Sequence, residues 1–171
     1  MPTVYSPPVS TYVPLATITL TSTDSEIVFS SIPATYRDLI LIVKGSFASD
    51  GFYKVRANGD SSSIYTNVYA QAQYNGGTYS GTNTLTNYGV WDENAYTANI
   101  EFMSVSQFMD YSATDKHKTA LFRSGGPQLG STVMGMSAGR YASNSAIHTL
   151  AVVGSQNFNI GSTFSLYGIA S

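Results

Sequence analysis

The chain has 171 residues, a length that suits one domain with or without a short arm. It is 43% hydrophobic, enough for a real core, yet only 11% charged, against about a quarter in an average globular domain. The net charge is −2, no long basic run occurs and there is no cysteine; this argues against nucleic-acid binding through phosphate neutralisation and rules out disulfides and thiolate chemistry.

The first 14 residues, MPTVYSPPVSTYVP, carry Pro2, Pro7, Pro8 and Pro14. Proline fixes φ and removes a donor, so residues 1–14 are expected to form an extended arm. They lack the charged start and apolar run of a signal peptide. Tyr5, Val9, Tyr12 and Val13 give the arm something to bury, and Tyr5, Pro7, Pro8, Tyr12 and Val13 are its expected partner-binding residues.

From Leu15 the pattern is that of strands. LATITLT (15–21) and EIVFSSIP (26–33) alternate, and Leu39–Val43 within YRDLILIVKGS is apolar on both faces, the mark of a central strand. FYKVRANGD (52–60) alternates and then turns at Asn58-Gly59, residues that tolerate positive φ. SIYTNVYAQAQY (63–74) is the next strand. Residues 75–98 are rich in Gly, Asn and Thr and are expected to hold long loops with one short strand. NIEFMSVSQFMDY (99–111) returns to period two, and HKTALFRS, STVMGMSAGRY, AIHTLAVVG and STFSLYGIA complete the set. No stretch has helical periodicity, and none approaches the roughly 18 apolar residues of a membrane helix. About ten short strands with Gly-rich connections predict an all-β antiparallel sandwich, jelly-roll-like, over residues 15–171. A surface short of charge but rich in hydroxyls and tyrosine suits extensive contact with neighbours, because hydroxyls are cheaper to desolvate than charges. A secreted β-protein with a neutral surface fits the same composition.

The most chemically loaded stretch is DYSATDKHKTALFRSGG (110–126), with two aspartates, His117, Lys116, Lys118 and Arg123. Asp115 and His117 would share a face on a strand, but no G-x-S-x-G elbow accompanies them. A polar turn feeding a strand is the expectation. His117 and His148 are too few for a zinc site, and NGDSSS (58–63) lacks the full calcium-loop spacing. Asp92 and Glu93 are adjacent, whereas glycosidase carboxylates face each other across a bond. No phosphate loop occurs. The expectation is therefore no catalytic residue, no metal and no cofactor. Aromatic rings in or beside the Gly/Asn-rich region (Tyr74, Tyr79, Tyr88, Trp91, Tyr96) leave one binding alternative. Tyr88, Trp91 and Tyr96 could stack on a host glycan, or they could lock loops or a subunit contact.

PLATITLTSTDSEIVFSSIPATYRDLILIVKG, VRANGDSSSIYTNVY, FMDYSATDKHKTALFRSGG and the closing FNIGSTFSLYGIAS, in this order, resemble a group of small virion proteins of tailed phages, cyanophages especially. The resemblance covers residues 14–171 apart from 75–98. It implies a non-enzymatic structural protein with the 110–126 segment as strand, turn and strand, Phe108, Leu121 and Phe122 lying in the core or an interface. It further implies a capsid decoration (cement) protein on the virion surface, or a tail-fibre domain reading host glycans. One compact domain with a short arm favours the first, seated on the major capsid protein as a homotrimer, with neither nucleic acid nor membrane as partner.

Overall fold

The computed structural model describes residues 11–85, 87–89, 96–128 and 131–170. Two antiparallel sheets form a sandwich, and the described residues include no helix. Eight strands set its winding: β1 (Tyr12–Thr19), β2 (Asp24–Phe29), β3 (Asp38–Gly45), β4 (Tyr53–Ala57), β7 (Tyr88–Gly89), β8 (Phe102–Met109), β11 (Leu150–Phe158) and β12 (Thr163–Ile169). β1 pairs with β12, β2 with β11, β3 with β8 and β4 with β7. This nested pairing of the first half with the second is the jelly-roll winding.

Two hairpins are inserted into it. β5 (Tyr65–Gln73) and β6 (Thr78–Leu85) lie between β4 and β7; β9 (Lys118–Gln128) and β10 (Ser131–Tyr141) lie between β8 and β11. All four strands join the same sheet, whose order becomes β1-β12-β3-β8-β9-β10-β5-β6. The other sheet, β2-β11-β4-β7, keeps four strands, one of them the two-residue β7. One sheet is thus twice as wide as the other.

Twelve strands are described where about ten were expected. The extra length falls in the Gly/Asn/Thr-rich region, where one short strand was expected and the eight-residue β6 and the two-residue β7 are found. The β5–β6 turn is made at Tyr74–Gly77, where Gly76 has φ +86° and the Asn75 side chain accepts from the Gly77 N–H at 3.1 Å. Thr78, Thr82 and Thr84 are β-branched and fit the pleat along β5. β11 starts at Leu150, later than Ala146, because residues 146–149 are held instead by Asn58. β1 starts at Tyr12, so Tyr12–Pro14 of the expected arm belong to the sheet. Pro14 is tolerated because β1 is an edge strand, and a bulge between Pro14 and Ala16 follows it.

The core between the sheets holds two aromatic groups. Phe47, Phe102, Tyr96 and Phe158 stack at one end, with Phe47–Phe158 centroids 4.5 Å apart and Tyr96–Phe102 4.1 Å apart. Tyr65, Tyr88, Phe108, Phe122 and Tyr141 pack at the other, with Tyr65–Tyr141 stacked at 4.8 Å. Leu39, Leu41 and Val43 of β3 lie in the same core and face Leu150, Val152 and Val55 of the smaller sheet's strands within one apolar cluster.

Candidate functional site

Among the described residues, those singled out by sequence reading do not come together. Tyr5, Pro7, Pro8 and Trp91 lie outside the described residues. Tyr12 is exposed at the end of β1, and Val13 is half-buried opposite Gly168. Tyr88 and Tyr96 correct the glycan alternative. They are 0% and 1% exposed, wedged into the two aromatic groups of the core, and offer no face to a sugar. Tyr74 and Tyr79 do reach solvent, Tyr74 at the tip of the β5–β6 hairpin.

Residues 110–117 form the turn between β8 and β9. Asp110 sits at φ +48°, and its carboxylate pairs with Lys116 at 3.3 Å. His117 is exposed, and its Nδ1 accepts from Arg140 Nε at 3.0 Å. Lys118 is buried, with Nζ donating to the Lys116 carbonyl at 2.7 Å, and burial pushes its pKa below the ordinary lysine value. Phe108 and Phe122 are buried, whereas Leu121 points outward and is partly exposed.

The Asn58-Gly59-Asp60 turn is likewise occupied with holding the chain. The Asn58 side-chain oxygen accepts from the N–H groups of His148 and Thr149, and its amide donates to the Ala146 carbonyl at 2.8 Å. Asp60 accepts from the Ser62 N–H and from both the Ser62 and Tyr141 hydroxyls, and the Ser62 bonds chiefly hold its carboxyl below the usual aspartate value. Among the described residues no cluster of three or more His, Asp or Glu is placed to hold a metal ion.

What the tertiary structure does assemble is a surface: the outer face of the eight-stranded sheet. Register places its side chains in rows across the strands. One row runs Val68, Ala138, Leu121, Gln107, Ile40 from β5 to β3. The next runs Ala70, Met136, Arg123, Val105, Ile42, and the third Ala72, Met134, Gly125, Met103, Lys44. Met134 is 73% exposed, Met136 63%, Val68 58% and Met103 51%. Such exposure is uncommon for large apolar side chains clustered on neighbouring strands. Three shallow depressions indent this face, and Arg123 borders all of them. The depression nearest β1 also includes Tyr12 beside Ile40, Ile42 and Leu121.

Sequence reading missed this face for a physical reason. In β10 the large residues Met134 and Met136 alternate with Gly135, Ser137 and Gly139, and the large set is the natural choice for the core. The reverse holds because rings from other strands take the space inside. A Cβ on Gly139 would lie 2.7 Å from the Tyr88 ring. The alternation itself was the available signal, since small residues on one face of a strand announce a large neighbour there. No protein-family model matches this chain, and no curated protein and no solved structure does so either.

Proposed function

We propose that this chain is a non-enzymatic structural protein of a virion, a decoration protein that packs on a shell of major capsid protein as a trimer. The observation that carries the reading is the exposed apolar face of the wide sheet, a surface built for burial against protein. The three rows across five strands span a footprint of roughly 24 Å by 20 Å at strand spacing, or about 480 Å², of which Gln107, Arg123 and Lys44 are the polar part. Contiguous exposed apolar side chains on this scale often mark a binding surface. The low charge of the chain and its resemblance to small tailed-phage virion proteins support the same reading. Jelly rolls serve in viral capsids, but they serve equally in lectins and cupins, so the fold is supporting analogy only.

The deciding measurement is the copy number of the chain in purified particles against the major capsid protein. A simple ratio to the capsid subunit is expected. A few tens of copies or fewer would place the chain in the tail. For that second reading, a tail-fibre or receptor-binding module, the supporting observation is Tyr74, 91% exposed at a hairpin tip with Tyr79 nearby. It requires host-polysaccharide binding by the intact protein that Tyr74→Ala abolishes without unfolding.

A further inference from the structure

We infer that the outer face of the eight-stranded sheet docks a different protein, one whose apolar surface presents a single carboxylate to Arg123. This inference rests on the reading of the chain as an assembly protein and specifies what the partner must offer.

Arg123 stands in the middle row, with Met136 of β10 on one side, Val105 of β8 on the other and Leu121 two residues along β9. Among the described residues no carboxylate lies within ion-pairing distance of it. Of the other cations on this face, Lys44 has a carboxylate, Glu101 at 3.4 Å, and Arg140 has a histidine neighbour, His117. Asp38, the acidic residue in register on this face, is buried and takes hydrogen bonds from Arg37, Gln107 and the Asp110 N–H. Water solvates the guanidinium while the face is bare. Burying it under an apolar cover would leave an uncompensated charge, which is strongly unfavourable, whereas a carboxylate in the cover would form a charge-assisted pair.

The same bookkeeping selects among occupants. A second copy packed face to face would bury two guanidinium groups against each other, and among the described residues the two carboxylates of this face already have partners, Asp38 in three hydrogen bonds and Glu101 in its pair with Lys44. A membrane surface attracts clusters of about four to eight cations, and among the described residues this face has two without a carboxylate, Arg123 in the middle of the nonpolar patch and Arg140 beside His117. A foreign apolar surface with one acid satisfies both the area and the charge.

The test uses the full chain with isotope-labelled methionine methyl groups, and the probes are decanoate and decyltrimethylammonium. Decanoate stands in for aliphatic side chains around a carboxylate. It is expected to move the Met134 and Met136 signals saturably and to bind at least about fivefold more tightly than the cation. Arg123→Gln should erase that preference and Arg123→Lys should keep most of it. Equal affinity for the two probes, or no movement at either methionine, overturns the inference. So do signals that shift with protein concentration alone, which would name a second copy as the occupant.

A second measurement separates this inference from the virion reading. The chain has no cysteine, so Met136→Cys and Ile160→Cys each carry a single thiol. Both positions are exposed in the free protein. In purified particles, maleimide labelling of Met136→Cys should fall at least about tenfold relative to Ile160→Cys, as a desolvated contact requires. Free labelling of both in particles that contain the chain overturns the docking face and leaves the virion reading standing. Absence of the chain from particles sinks the virion reading, and the titration still decides the chemistry of the face.

Discussion

Asp38 shows how one residue can join several segments. It opens β3, is buried, and its two oxygens collect Arg37 at 3.2 Å, the Gln107 side chain at 3.0 Å and the Asp110 N–H at 3.1 Å. The last of these supports the positive-φ residue that starts the β8–β9 turn. Asp38→Ala strands those donors, and we expect a loss of about 2–4 kcal/mol, measured by urea unfolding. A loss below about 1 kcal/mol would mean that water replaces the carboxylate without penalty. Tyr111 plays a similar part beside it. Its hydroxyl donates to the Pro33 carbonyl and accepts from the Tyr36 N–H, tying the Ser-Ile-Pro connection after β2 to the β8–β9 turn. Tyr111→Phe removes only that tie and should cost about 1 kcal/mol in the same assay.

Strand β10 is where element and function meet. Its inward face is Val133, Gly135, Ser137, Gly139 and Tyr141, small in the middle so that Tyr88 of β7 can press against it. Tyr88 in turn contacts Tyr65, Phe108 and Phe122. A methyl group at position 139 would meet that ring, so Gly139→Ala should destabilise by about 1–3 kcal/mol through overpacking. On the outward face, Met136→Ala should leave thermal stability within about 0.5 kcal/mol of wild type, because an exposed side chain contributes little to folding. If Met136→Ala unfolds the protein as readily as Gly139→Ala, the faces have been assigned the wrong way round. The two substitutions together separate folding from docking on a single strand.

For the molecule as a whole, tyrosine dominates the response to pH. Tyr53, Tyr65, Tyr88, Tyr111 and Tyr141 all have pKa values raised above the ordinary 10.0, in each case chiefly by burial. Their neutral forms are favoured by folding, so the stability they confer is complete below about pH 10 and is lost as pH rises through the folded values. Lys118 acts in the opposite sense, since its lowered pKa means that deprotonation relieves a buried charge. One lysine against five tyrosines leaves a net loss. The melting temperature should therefore fall steeply above about pH 10, with tyrosinate absorbance appearing cooperatively at the unfolding transition. Gradual, independent titration of the same tyrosines in a folded chain would contradict the packing described.

Much of this architecture was legible beforehand. Period-two alternation, the two-faced apolar run in β3 and the Asn58-Gly59 turn are local consequences of backbone geometry, and the strands fall where those signals put them. A strand was expected within 75–98, but the length and place of β6 were not legible, because threonine and glycine read as loop until β5 supplies a pairing partner, which is a non-local fact. For Tyr88 and Tyr96 the sequence left ligand stacking and packing both open, and their burial selects packing. An aromatic ring in a Gly-rich segment has the same appearance whether it binds a ligand or fills a core, and only its neighbours distinguish the two. Composition and periodicity were sufficient for an all-β sandwich, because side-chain alternation and turn chemistry act within a few residues. Which of two apolar faces meets water was settled by the unequal widths of the sheets and by rings from distant strands competing for one interior. Arg123 owes its place among methionines and valines to that competition, and in the sequence it was simply one charge in a polar turn and strand.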